Sequence, residues 1–333
     1  MPAHSRLPHD LHRPLGTVLI GTSLEDESDQ VVRSGLAVAR AAVAQVFLVH
    51  AARIEPRLLH AEAGLGRDFV QEQIAWREQM LQEQIERTGI RASELAGFKV
   101  MTGAPHRVLV DAVRTCRAGL VVVGATGSGP FAELLGSTAD RILRKTPCPV
   151  LLVRGELRMP PRRVLAPVDL SSLSGDAFRC GLHLLAQLAK PGEIEVRAVY
   201  AMSFLDALAL RRKAGNISLE EVERLDAEEL RRFLLENRPE PGLHVESAIL
   251  PGEARFEILH DLEEHPADLV VLGTHGRGGL DRLMIGSVAA TIASKAPCSV
   301  LLIPPEAGLA EGISDAVAAQ TVPAWHREPA PAV

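Results

Sequence analysis

The sequence predicts an α/β protein built as two tandem copies of one domain, each an open five-stranded parallel sheet with helices on both faces. Three observations carry that prediction. The chain has 333 residues, enough for two ordinary cores. It contains a long collinear internal repeat. Within each copy, short Val/Leu/Ile runs alternate with amphipathic helical stretches.

The repeat is clearest toward the end of each copy. GLVVVGATGSGPFAELLGSTADRILRKTPCPVLLV, from Gly119 to Val153, answers DLVVLGTHGRGGLDRLMIGSVAATIASKAPCSVLLI, from Asp268 to Ile303. Gly124 matches Gly273 at an offset of 149, while Gly136 and Gly286, and Pro147-Cys148 and Pro297-Cys298, match at 150. Earlier in the chain, Val18-Leu19-Ile20 answers Val164-Leu165-Ala166 at 146. Collinearity over this length indicates a duplicated domain rather than a solenoid unit.

In the second copy, Val164 to Val168 reads as a first strand. A helix follows, with Leu173, Ala177, Gly181, Leu184, Leu185 and Leu188 on one face. Glu193 to Tyr200 is the next strand, and Ser218-Leu-Glu-Glu221 is a capping-box opening to a charged helix. Then come strand His244 to Leu250, helix Ala254 to Glu264, strand Leu269 to Leu272, helix Ser287 to Lys295 and strand Ser299 to Ile303. The first copy repeats the order, with Val46 to His50, Phe98 to Thr102, Leu120 to Val123 and Val150 to Val153 as later strands. Near-continuous apolar strands fit a sheet covered on both faces. The expected layout is an arm at 1–14, a first domain at 15–155, a linker at 156–163 containing Pro160-Pro161, a second domain at 164–305, and a disordered Ala/Pro/Glu-rich tail at 306–333. Trp325 in that tail can dock, but one tail tryptophan says little alone.

Composition excludes several classes. With 47% hydrophobic and 23% charged residues, the chain reads as a soluble globular protein. A net charge of −6 and 3% aromatics leave neither a basic footprint nor stacking platforms for nucleic acid. No apolar run is long enough to span a membrane, and residues 1–14 carry three histidines, an Asp and two Arg, unlike a secretory signal. Four cysteines without a CxxC pair suit reduced, packed thiols in a cytoplasmic protein; a disulfide or thiol switch is the other reading. There is no GxxxxGK[ST], GxSxG or HExxH, and His9 and His12 read as tail histidines rather than a metal site.

One motif remains. Gly273-Thr-His-Gly276 is followed by nine residues and then Gly286-Ser287, running from a strand end to a helix start. Glycines let backbone N–H groups approach phosphate oxygens, and the helix N-terminus adds partial positive charge. This spacing resembles the universal stress protein family, whose ATP-binding members carry GxxG, nine residues, then Gly followed by Ser or Thr. The resemblance covers about Val18 to Val153 and Val164 to Ile303. It implies a nucleotide-binding, adenine-hydrolase-like fold with strand order 3-2-1-4-5 and nucleotide at the C-terminal edge between strands 1 and 4. The switch-point rule puts a ligand at the same place.

The resemblance further implies that Asp169, ending the strand with Pro167 and Val168, contacts adenine, joined by the main chain of Val199. Leu272, Gly273, Gly276, Gly286, Ser287 and the N–H of Val288 would then hold ribose and phosphates, and Arg277 would screen phosphate charge; His275 is a turn residue or a further contact. ATP, with Mg²⁺, is the expected ligand. The last strands of the two copies are expected to pair within one chain, since family dimers pair there and an uncovered edge invites pairing.

The first copy departs from the pattern. Its loop has eight residues between Gly127 and Gly136, Pro130 removes an N–H, Ser23 stands where Asp169 stands, and Ala51 where Val199 stands. Nucleotide is therefore expected in the second copy. No residue is placed as a nucleophile or general base, so an enzyme is not expected beyond slow ATP hydrolysis. The expected role is a nucleotide-dependent regulatory or stress-response module with a protein partner. A nucleotide-free interaction scaffold, an enzyme on the related fold, a homodimer on other surfaces, and a different small or lipid-like ligand in the first copy stay open.

Overall fold

The computed structural model describes residues 14–53, 65–91, 93–125, 137–203, 207–208, 211–212, 215, 218–237, 241–276, 285–308 and 325. The expected arm and tail lie almost wholly outside these residues. In the first half the order is β1 (Thr17–Thr22), α1 (Asp26–Ala42), β2 (Gln45–Ala52), α2 (Leu65–Thr88), β3 (Leu95–Thr102), α3 (Pro105–Cys116), β4 (Leu120–Gly124), α4 (Ser137–Leu143) and β5 (Val150–Val153). The second half has β6 (Arg163–Val168), α5 (Ser172–Ala186), β7 (Glu195–Met202), α6 (Leu219–Glu236), β8 (His244–Pro251), α7 (Ala254–Glu264), β9 (Leu269–Gly273), α8 (Ser287–Lys295) and β10 (Ser299–Ile303). A 3-10 turn, Pro305–Gly308, follows.

Local chemistry explains the helix ends. Pro105 opens α3 at a position where its missing N–H costs nothing. Ser218 caps α6 by accepting the Glu221 N–H, half of the capping box legible in the sequence. Ser171 caps α5 through the Ser174 N–H. α1 and α3 both stop at a left-handed residue, Val43 and Arg117, whose N–H returns to carbonyls of the last turn.

The two expected sheets are one. Ten strands run β3-β2-β1-β4-β5-β10-β9-β6-β7-β8, parallel within each half and antiparallel only where β5 meets β10. Each half keeps the order 3-2-1-4-5. The join pairs Leu152 with Val300, Leu151 with Leu301 and Val150 with Leu302, so neither edge of apolar backbone is left open. Leu151 and Leu301 are 3% and 4% exposed; burying each such side chain is worth roughly 1.5–3 kcal/mol. Arg154 reinforces the join by donating to the carbonyls of Ala293 (3.2 Å) and Ser294 (2.8 Å) at the end of α8, where a cation opposes the helix dipole.

The core forms two layers that run across both halves. One packs α1, α2, α5 and α6 on one face of the sheet, the other α3, α4, α7 and α8 on the opposite face. Because β5 and β10 are antiparallel, the C-terminal strand ends of the two halves point to opposite ends of the sheet. Any crevice at those strand ends therefore occurs twice, at opposite ends of the molecule.

Candidate functional site

In the second half, β6 and β9 pair only through Val164 with Leu269 and Leu165 with Val270. Beyond that point the ladder stops and the strands part, β6 serving β7 on one side and β9 serving β10 on the other. This is the switch point at which ligands enter open α/β sheets.

Asp169 stands at the rim where β6 ends. Its N–H donates to Ser174 Oγ at 3.1 Å. Its Oδ1 accepts from the Ser171 N–H at 3.0 Å and from Ser171 Oγ at 2.6 Å. The turn between them holds Leu170 at φ 64°, a conformation a branched side chain adopts only when its surroundings impose it. The other oxygen, Oδ2, lies against Gly276: a Cβ there would overlap it. The carboxylate at the end of the first strand and the second glycine of the loop are thus brought face to face. Ser171 and Ser174, which orient the acid, are missed by sequence reasoning. Their signal is the short-range pattern of an Asp followed by serines at the second and fifth positions.

The loop is held at both ends. Thr274 N–H donates to the Ile303 carbonyl at 2.9 Å, and Gly286 N–H donates to the Thr274 carbonyl at 2.8 Å. Thr274, wholly buried, therefore pins the start of α8 to the end of β9. Gly286 caps α8 with no side-chain hydrogen bond, and no acidic residue sits in the first turn. The first helical bond at that end is Ala290 N–H to the Gly286 carbonyl, at 2.9 Å. The N–H groups of Ser287, Val288 and Ala289 precede it and point out along the axis, where the helix carries positive character. Ser287 is exposed and Val288 half-buried. His275 Nδ1 meets Thr274 Oγ1 at 2.9 Å, and its Nε2 is buried without a partner among the described residues.

The remaining candidates sort by face. Val199 and Leu272 belong to the layer under α7 and α8, and Val199 is in register with Pro167. Val168 belongs to the opposite layer, so its side chain is turned away from that face. Gly273 lies close to α5: a Cβ there would stand 3.0 Å from the Ala177 Cβ. Arg277 lies outside the described residues.

The first half has the same frame and different chemistry. Leu24, at φ 69°, repeats the turn of Leu170. Where the acid would be, Ser23 is exposed and donates to Glu25 Oε2 at 3.3 Å. One expected difference disappears. Thr17 pairs with Gln45 and Arg163 with Glu195, and β2 and β7 share one burial pattern, so Val49 rather than Ala51 is the counterpart of Val199. The repeat offset changes from 146 in the first strands to 150 in the second, so no single offset relates both pairs of strands. Gly127, Pro130 and Gly136 lie outside the described residues.

Beside that strand end the first half builds a closed polar cluster. Thr22 Oγ1 donates to Gln84 Oε1 at 2.8 Å, and Gln84 Nε2 donates to Ser28 Oγ at 2.9 Å and Asp29 Oδ1 at 2.7 Å. Arg87 grips Asp29 through Nε at 2.6 Å and a terminal nitrogen at 2.9 Å. Burial alone would push the Asp29 carboxyl up, but the bonds from Arg87 and Gln84 and the charges of Arg87 and Arg33 outweigh it and hold it below its ordinary value. His50 Nδ1 meets the Thr22 carbonyl at 3.0 Å, and burial keeps its ring pKa below the usual value.

The thiols offer no chemistry. All four cysteines are free; burial pushes Cys116, Cys148 and Cys180 up to about 12 and Cys298 to about 11, far from a reactive thiolate. Among the described residues no group of three His, Cys, Asp or Glu side chains is placed to hold a metal ion. No helix among them is long and apolar enough to cross a membrane.

Comparison with known proteins agrees with the duplicated frame. The model of the universal stress protein family matches residues 15–154 and again 161–304. A universal stress protein of Mycolicibacterium smegmatis is 26% identical over 309 residues, covering 86% of this chain and 97% of its own. One from Methanocaldococcus jannaschii is 28% identical over 142 residues, 43% of this chain and 81% of its own. Among solved structures, a universal stress protein from Archaeoglobus fulgidus aligns over 88% of this chain and all of its own with a TM-score of 0.60 at 18% identity, a likeness of fold. With both halves matched by one family model and the strand order of each half shared, the chain belongs to the universal stress protein family.

Proposed function

We propose that the second half binds an adenine nucleotide, ATP with Mg²⁺, between β6 and β9, and that the protein is a nucleotide-responsive module of the stress response rather than an enzyme. The observation that carries this reading is the pairing of an oriented carboxylate, Asp169, with an uncapped helix start across the same crevice. The residues fit the ligand's chemistry. Glycine at 276 lets the loop backbone lie directly against the Asp169 carboxylate, where a Cβ would overlap Oδ2, and the α8 amides offer donors to an anion without a competing acidic side chain. Asp169 and the Val199 main chain would hold the base. Gly273, Gly276, Gly286, Ser287 and Val288 would hold ribose and phosphates. Mg²⁺ would neutralise phosphate charge.

The first half lacks the carboxylate, and we assign it no nucleotide. The two copies are taken as residues 15–155 and 164–305 around a 156–163 linker, paired through β5 and β10 in one chain. Four free thiols, two buried and two half-buried, favour a reducing compartment, the cytoplasm. A ligand bound to only one conformation stabilises it by about 2.7 kcal/mol at a hundred times its Kd, enough to shift a conformational or partner equilibrium. Titration with a fluorescent ATP analogue tests the reading: saturable binding, displaced by ATP and lost in Asp169→Ala, supports it. No saturable binding to the wild-type protein leaves an interaction scaffold as the better account.

A further inference from the structure

The two halves differ on the face of their second and third strands that α3 and α7 cover. In the second half, Arg197 of β7 forms an ion pair with Asp261 of α7 at 2.9 Å, Asp261 being 3% exposed, and Glu246 stands opposite Arg197 on β8. The register of β2 with β7 makes Phe47 the counterpart of Arg197. Phe47 faces Gly97 on β3, where the second half has Glu246. In α3, Ala112 stands where α7 has Asp261, at the offset of 149 that relates Gly124 to Gly273. Three charged groups are thus replaced by a phenyl ring and two residues with little or no side chain. The ion pair that closes this position in one half is absent in the other, where Phe47, Gly97 and Ala112 leave an apolar spot beside Lys99 on the same face.

Trp325, the one described residue beyond Gly308, occupies that place. Its ring meets Phe47 edge-on at 4.9 Å between centroids, and it packs with the layer that contains Ala112. We propose that the β2–β3 face of the first half is a binding site for a tryptophan-bearing segment, and that its occupant is the C-terminal tail of the same chain.

The geometry allows this within one chain. Since β10 is antiparallel to β5, it finishes at the end of the sheet where β2 begins, and Phe47 is the third residue of β2. From β10 to β2 is four strand spacings, about 19 Å. The chain from Gly308 to Trp325 reaches up to roughly 55 Å when extended. Ala307 packs on one face of the sheet and Trp325 on the other. A tether of this length gives an effective concentration near the millimolar range, which favours the chain's own tail over a neighbour's.

The test uses the full chain in a Trp76→Phe background; Trp76 is 54% exposed on α2, and its removal leaves Trp325 as the sole tryptophan. Acrylamide quenching of Trp325 is expected to be several-fold weaker than in a free peptide of residues 318–333, and unchanged on dilution. Phe47→Arg should raise it to the peptide's value. In a second measurement that leaves the β2–β3 face intact, Trp325→Ser should accelerate hydrogen exchange in residues 45–52 and 95–102 but not in 195–202. Peptide-like quenching in the parent, protection that survives Phe47→Arg, or exchange unaltered by Trp325→Ser would overturn the proposal. Protection that fades on dilution would overturn it too, by assigning the site to the tail of a second copy.

Discussion

Replacing Gln84 by leucine isolates what the first half has built beside its strand end. Gln84 has no exposure and makes three side-chain hydrogen bonds: it accepts from Thr22 Oγ1 and donates to Ser28 Oγ and Asp29 Oδ1. Leucine nearly fills the same volume, so the cost is polar rather than a cavity. Two neutral bonds at about 1 kcal/mol each and one to a carboxylate at about 2 sum to about 4 kcal/mol. Thr22 and Ser28 keep each other at 2.9 Å, and Asp29 keeps Arg87. Apolar burial of the leucine recovers about 1 kcal/mol, leaving a net loss of about 3 kcal/mol. Urea unfolding at pH 7, followed by circular dichroism and by exchange of amides in α1 and α2, measures it. The pH dependence has a definite sign. Asp29 is held below its ordinary pKa in the folded chain, so its contribution is present above the unfolded value and fades as pH falls through the folded one. With one donor gone the folded pKa rises, the variant has less to lose in acid, and the gap to wild type narrows between pH 6 and pH 3. A loss under about 1 kcal/mol at pH 7, or a gap that widens in acid, would show that the Gln84 bonds do not hold this cluster together.

Three further outcomes follow from the same geometry. Gly276→Ala puts a methyl where the Asp169 carboxylate lies. Calorimetric ATP affinity should fall about tenfold or more, while the nucleotide-free unfolding midpoint hardly moves. Arg197→Met strips the arginine from the buried Asp261, leaving the His265 ring at 3.3 Å, and should cost about 3 kcal/mol in urea unfolding, whereas Arg197→Phe with Asp261→Ala, which imports the first half's residues, should recover most of it. Leu151→Lys places an ammonium opposite Leu301 in the joint between halves; small-angle scattering should report a larger radius of gyration, and an unchanged radius and unfolding midpoint would contradict a continuous sheet.

Much of the fold was legible because duplication wrote it twice. The strands Leu269–Gly273 and Ser299–Ile303 stood out as apolar runs bounded by Gly and Pro, and α8 was read to the residue from Ser287 to Lys295. The strand read as Glu193 to Tyr200 runs instead from Glu195 to Met202, because Glu193 belongs to the turn that closes on Lys190. Of the site, Asp169 and the glycines were visible as types at a spacing. Their mutual contact was not, since Asp169 and Gly276 are joined only by the folded sheet. Ser171 and Ser174 act through hydrogen bonds that the sequence does not display. The cluster around Gln84 joins residues 55 or more positions apart, so no local pattern announces it. The equivalence of Val49 with Val199 depended on strand register, which an insertion between β1 and β2 conceals.

The proposed stoichiometry is one nucleotide per chain, held in the second half. Native mass spectrometry of the full-length protein with Mg²⁺ and excess ATP tests it most directly. A single bound nucleotide per chain is expected, absent in Asp169→Ala and retained in Ser23→Ala. Two nucleotides per chain, none, or one that persists in Asp169→Ala would contradict it.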